Sequence, residues 1–97
     1  MPLYYVYILK CENIKNGNVS LYTGSTQDLM KRFEQHRKGV GGAKYTRGKK
    51  LELVYFETHL TRSDVMKREY EIKSYTSSKK WEIVDEFQKK MEDSKSK

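Results

Sequence analysis

Tyr5-Val6-Tyr7 and Tyr22-Thr23-Gly24 stand near the start of the chain, with Tyr7 and Tyr22 fifteen residues apart; Arg32, His36 and Glu69 follow in that order. These side-chain types can do chemistry together. A phenol has a pKa of about 10, so it needs a nearby cation before it can act as a base near neutrality. A planar guanidinium can grip a phosphate through two hydrogen bonds and offset charge growing on it. An imidazole can pass a proton or hold an anion. Taken singly, each residue has a plainer reading: Tyr7 as a strand tyrosine filling a core, Arg32 and Glu69 as solvated helix residues, and Gly24 as a simple turn.

The elements that must position them can be read from hydrophobic pattern and turn chemistry. Residues 3–10 are rich in aromatic and β-branched types and apolar on both alternating faces, which predicts a central strand. Asn16-Gly17 signals a turn, and Val19 to Gly24 a returning strand, so the two tyrosine tripeptides should lie on paired antiparallel strands. Ser25 or Thr26 can cap a following helix, with Asp28 in its first turn. Leu29, Met30 and Phe33 form its apolar side, and Arg32 and His36, four apart, share a face. The helix should end near Lys38-Gly39. Residues 51–58 predict a third strand. Thr61-Arg62-Ser63-Asp64 resembles a capping box and opens a helix to about Tyr75. Thr76-Ser77-Ser78 should break it, with a last helix over 79–90 carrying Trp81, Val84, Phe87 and Met91 at near-helical spacing. The expected fold is α+β: a three-stranded antiparallel sheet flanked by helices, in the order β-β-α-β-α-α. Residues 1–91 form one domain, and residues 92–97 are expected to be a disordered polar tail.

The 97 residues suffice for one small core. The net charge is +7, and all of the excess lies in residues 31–50, where eight Lys and Arg meet only Glu34. A concentrated basic stretch is the footprint of a polyanion binder. The glycine-rich part, residues 39–48, lacks the lysine-then-hydroxyl ending of a P-loop and does not join a strand to a helix start, which excludes a nucleotide-binding loop. Cys11 is the only cysteine, which excludes an internal disulfide and a cysteine zinc site and fits a reducing cytoplasm. No stretch is apolar enough to predict a membrane span, and no targeting segment is expected. His59 reads as a surface residue near a strand end.

The two tripeptides, then Arg32, His36, Gly42-Ala43-Lys44-Tyr45-Thr46 and Glu69 in order, resemble the GIY-YIG nucleases, in particular their small stand-alone branch, over roughly residues 4–85. Two positions depart from the signature: Tyr5 stands where the first motif has glycine, and Thr23 where the second has isoleucine. The resemblance implies a site made of Tyr7, Tyr22, Arg32, His36 and Glu69. In it Tyr7 is the general base toward an attacking water, and Tyr22 holds water or a phosphate oxygen or orients Tyr7. Arg32 grips the phosphate, and His36 passes a proton or binds phosphate. Gly24 is the motif glycine that admits close approach. Glu69 would hold Mg²⁺ or Mn²⁺, since one carboxylate is enough for an ion that keeps its waters and takes phosphate oxygens. Lys44, Tyr45, Thr46, Arg47, Lys49 and Lys50 are expected to contact the nucleic-acid backbone.

The expected function is therefore a metal-dependent endonuclease on DNA, with RNA left open. No base-reading module is visible, so structure-selective cutting linked to repair or recombination is expected over sequence-specific cutting. Selectivity would come from the basic surface or from a protein partner. The alternative is a nucleic-acid-binding module that keeps the fold with little turnover. A third reading is an interaction protein whose basic stretch docks an acidic partner. For the nuclease, Tyr7, Tyr22, Arg32, His36 and Glu69 should converge on one concave face, with Lys44 and Arg47 at its rim; Glu69 pointing to the opposite side from Tyr7 would overturn that reading.

Overall fold

The computed structural model describes residues 3–39 and 48–95. Three strands, β1 (Tyr4–Asn13), β2 (Val19–Thr26) and β3 (Lys49–His59), form one antiparallel sheet in the order β2-β1-β3, with helices α1 (Leu29–Lys38), α2 (Arg62–Lys73) and α3 (Ser77–Lys95). The element order and the central position of β1 are those expected from the sequence. Doubly apolar β1 is central because each of its faces is covered. Val6 and Ile8 pack with Val54, Val65, Ile72 and Val84 on the α2–α3 side, and Tyr7, Leu9 and Cys11 pack with Leu29, Phe33 and Leu53 on the α1 side.

Register places the signature residues. Tyr7 pairs with Gly24 across β1–β2 and with Phe56 across β1–β3, and Leu9 pairs with Tyr22. Directly opposed residues share a face, so Tyr7, Gly24 and Tyr22 all look toward α1. Ser25 pairs with Val6 and looks toward α2. The β1–β2 connection turns at Gly17, whose φ of 73° lies in the left-handed region that glycine adopts without strain.

Several boundaries differ from the sequence reading. Ser25 and Thr26 belong to β2, and Asp28 is itself the cap of α1: its side chain accepts from the Lys31 amide at 3.1 Å. Thr61 caps α2 as expected, accepting from the Asp64 amide. Helix α2 ends at Lys73, with Ser74 as its cap, rather than near Tyr75, and Ser77 and Ser78 open α3 where a break was expected; the Thr76 hydroxyl accepts from the Lys79 amide and caps that helix. That helix continues through Lys95, so residues 92–95 are helical where a disordered tail was expected. Its apolar anchors are Val84, 1% exposed, and Phe87, whose ring lies 5.3 Å from Tyr55 and 5.2 Å from Phe56. Having those anchors, the polar last turn is carried by propagation rather than by its own burial.

Candidate active site

Tyr7 is 2% exposed, and its hydroxyl lies 2.7 Å from Nε2 of His36, which is 1% exposed. The contact joins the middle of β1 to the last turn of α1. The Tyr22 ring completes the cluster, 5.0 Å from the His36 ring and 6.5 Å from that of Tyr7. Gly24 makes the arrangement possible: a Cβ there would sit 2.5 Å from Tyr7 Oη and 3.2 Å from a Tyr22 ring carbon. The reason for glycine is space for the phenol, not backbone conformation.

Arg32, one turn before His36, faces the same cluster. It donates to Gln35 Oε1 at 3.0 Å and is near enough to Tyr7 to hydrogen-bond the phenol and act on it as a charge. Burial nevertheless dominates, and the Tyr7 pKa is pushed up to about 12; the Arg32 hydrogen bond opposes that shift, while Tyr22 and Glu69 add to it. His36 is pulled below its ordinary value, first by burial and then by the Arg32 charge. At neutral pH the pair is therefore a phenol beside a neutral imidazole, and the imidazole tautomer decides which of the two donates.

Glu69 comes from the other side. Ser25 Oγ donates to its Oε1 at 2.5 Å, and Lys73, four residues on in α2, pairs with Oε2 at 2.8 Å. Thus Tyr7, Tyr22, Arg32 and His36 meet on the α1 face, whereas Glu69 sits under α2 and approaches across edge strand β2. Alternation along β2 is the reason: Gly24 looks to one face and Ser25 to the other. The single concave face expected from the sequence is instead a site wrapped around a strand edge. The Glu69 charge still reaches the Tyr7 hydroxyl.

The neighbour of Glu69 fixes α2 on its other flank. Arg68 Nε lies 3.0 Å from both carboxylate oxygens of Glu57 on β3, and Arg68 also pairs with Glu71. Consecutive residues of α2 are thereby tied to the two outer strands, Arg68 to β3 and Glu69 to β2. His59 belongs to this network: its Nε2 lies 2.5 Å from Glu57 Oε2 and its side chain is 23% exposed, so it is not the plain surface residue expected.

Among the described residues, no group of three or more His, Cys, Asp or Glu side chains gathers as a metal cluster. What exists is one carboxylate with a hydroxyl beside it. An all-oxygen, sparse donor set suits Mg²⁺ or Mn²⁺, which keep waters and accept phosphate oxygens, and does not suit zinc.

Lys49 and Lys50 pair with Asn13 and Glu12. That is six and five residues along β1 from Tyr7, so they stand roughly 16–20 Å away at the far end of the sheet. Lys44, Tyr45, Thr46 and Arg47 lie outside the described residues. Two contributors were not found in the sequence. Ser25 read only as a cap; Lys73 carried a usable signal, its i,i+4 spacing from Glu69.

A family model for the GIY-YIG catalytic domain matches residues 3–82. A UPF0213 protein of Haloquadratum walsbyi is 48% identical over 84 residues, covering 86% of this chain and 88% of that protein. A UPF0213 protein of Staphylococcus aureus is 45% identical over 87 residues, covering 89% of this chain and 99% of its own length. The solution NMR structure of a UPF0213 protein from Bacillus halodurans is similar at a TM-score of 0.51 and 40% identity, covering 86% of this chain and 83% of that one. Among the described residues, no helix is long and apolar enough to cross a membrane.

Proposed function

The chain belongs to the GIY-YIG family, and from that premise we propose that it is a metal-dependent endonuclease that hydrolyses phosphodiesters of DNA. The family generally comprises endonucleases, and the fold here is a nuclease fold. The observation that carries the reading is the 2.7 Å contact between Tyr7 Oη and His36 Nε2. A phenol with a pKa pushed up to about 12 is a poor phenolate at neutral pH. It becomes a base only if its own proton leaves as it takes another. The neutral imidazole of His36 is the acceptor for that proton.

In this scheme the water proton passes to Tyr7 Oη while the Tyr7 proton passes to His36 Nε2. The water oxygen bonds to phosphorus, and the bond from phosphorus to the leaving oxygen breaks; that oxygen takes a proton from solvent, and His36 passes its extra proton on to solvent before the next turnover. Arg32 holds a non-bridging oxygen and offsets the negative charge that grows there. The Tyr22 ring packs against His36, and its hydroxyl serves water or phosphate. Glu69 would hold Mg²⁺ or Mn²⁺, which when bound supplies Lewis-acid polarisation of the phosphate. Ser25 orients that carboxylate. Lys44, Tyr45, Thr46 and Arg47 would contact the DNA backbone. Lys49 and Lys50 would meet only DNA that runs the length of the sheet.

Selection of branched, flapped or damaged DNA, a place in repair or recombination, a cytoplasmic location and a protein partner that adds specificity all belong to this proposal. The test is a labelled panel of single strands, duplexes, flaps, junctions and RNA, with Mg²⁺ or Mn²⁺ against chelator. Metal-dependent cutting lost in Glu69→Ala and Tyr7→Phe supports the nuclease. Salt-sensitive binding that survives both substitutions, with no cutting by any of the proteins, supports the binding-module alternative.

A further inference from the structure

A second cleft opens beside the cluster just described. It has a volume of about 350 Å³ and is lined by Ser25, Thr26, Gln27, Arg62, Met66 and Glu69, among others. Neither Tyr7 nor His36 lines it. It lies on the α2 side of the β2 edge, with Glu69 anchored there through Ser25. Arg62 opens α2 and is exposed.

The four arginines among the described residues differ in what they hold. Arg37 is tied to Glu34, Arg68 to Glu57 and Glu71, and Arg32 to Gln35. Arg62 makes no hydrogen bond or ion pair with the described residues. It is an uncommitted guanidinium in the same cleft as the one carboxylate suited to a hard cation. Arg62 and Glu69 are seven residues apart, two turns of α2, and so lie on one face roughly 10 Å apart along the axis.

We infer that Arg62 holds a phosphate of the DNA strand next to the one cleaved, making this cleft a nucleotide subsite. The inference rests on the nuclease reading and names where the strand runs. A strand whose scissile phosphate lies at the β2 edge, between Arg32 and Glu69, continues along α2 toward Arg62. Ser25, Thr26 and Gln27 supply neutral polar groups between the two points. A guanidinium suits the task, because it grips two phosphate oxygens at once and carries no sequence preference.

The experiment measures binding of a labelled single-stranded oligonucleotide, in chelator so that nothing is cut, by the full chain and by Arg62→Ala and Arg62→Lys. Melting of each variant checks its fold; an exposed arginine outside both cores should leave it intact. Arg62→Ala should weaken binding about tenfold and lower the slope of log affinity against log salt by about one. Arg62→Lys should recover the slope but not the whole affinity. A set of oligonucleotides, each with one neutral methylphosphonate, then locates the contact. At one position the wild type should lose affinity and Arg62→Ala should lose no more.

Equal affinity and equal slope for wild type and Arg62→Ala would overturn the subsite, as would equal losses at every methylphosphonate position. These outcomes leave the nuclease reading to its own assay. An Arg62-dependent contact in a protein that never cuts would sink the nuclease and keep the subsite. Failure of the wild type to bind any oligonucleotide in chelator would overturn the subsite and leave the nuclease reading to the cleavage panel.

Discussion

Gly24 faces Tyr7 across the β1–β2 ladder, and the Tyr7 hydroxyl occupies the space that any side chain at position 24 would need. The phenol lies over bare backbone at the edge strand and from there reaches His36. A motif glycine and a motif tyrosine are in this sense one device, because the first leaves the room in which the second meets His36.

Gly24→Ala should therefore act on the Tyr7–His36 contact. The added Cβ would fall 2.5 Å from Oη and 2.7 Å from Cζ, so the ring must move. Overpacking of this kind costs about 1–3 kcal/mol. Thermal melting should show that loss, and the His36 imidazole, followed by NMR, should titrate closer to its ordinary value. Cleavage should fall further than stability accounts for. An unchanged melting curve together with unchanged His36 titration would show that the close approach is not a constraint.

His36 sets a pH dependence whose sign follows from its environment. Its pKa in the fold lies below the ordinary 6.5, because burial and Arg32 disfavour the imidazolium. The stabilisation from keeping it neutral is fully present above pH 6.5. It is lost as pH falls from there through the folded value, because the unfolded chain then binds the extra proton. The same proton blocks the acceptor of the relay, so cleavage should fall on an acid limb whose midpoint lies below pH 6.5. His36→Gln should flatten the melting temperature between pH 7.5 and pH 5 and remove the limb along with most of the activity. A limb that persists in His36→Gln would assign it to another group.

Thr23 stands where the signature has isoleucine. Its side chain is 3% exposed, and Oγ1 is the buried side-chain polar atom among the described residues that finds no hydrogen-bond partner. It pairs with Ile8 on the α2–α3 face, an apolar setting. A buried hydroxyl without a partner costs about 1–3 kcal/mol. Thr23→Val, close in shape, should raise stability by about 1 kcal/mol, read from denaturant unfolding with an unchanged m-value. A loss of stability would mean that the hydroxyl is satisfied in solution.

The sheet was legible because β1 declares itself: an eight-residue run apolar on both faces has only the central position open to it. The cluster of Tyr7, Tyr22, Arg32 and His36 was legible through motif order and the i,i+4 spacing on α1. The placement of Glu69 was not. It depends on which face each residue of β2 presents, and that turns on β2 running two residues past Gly24 to include Ser25 and Thr26. Both read equally well as helix caps, and the competing cap, Asp28, won because it sits one residue before the helix with its carboxylate on the Lys31 amide. His59 was misread for a related reason. Its partner Glu57 is two residues away on the same strand face, but the Arg68 that draws both inward is remote in sequence.

Lys73 should tune the metal requirement. Its ammonium lies 2.8 Å from Glu69 Oε2, with the lysine side chain 53% exposed and that of Glu69 20%, so it covers one of the two carboxylate oxygens from the solvent side. Such i,i+4 pairs are worth about 0.3–0.5 kcal/mol, enough for roughly a twofold effect on a competing ion. Lys73→Met keeps the aliphatic stem and removes the competitor, so the Mg²⁺ concentration giving half-maximal cleavage should fall about twofold. Lys73→Glu should change the midpoint in the same direction and further, by adding negative charge beside Glu69. Both variants should fold as the wild type does, since Ile72 and Val65 anchor α2. A Mg²⁺ midpoint that is indifferent to the charge at position 73, in variants that still cut, would place the metal away from Glu69 Oε2.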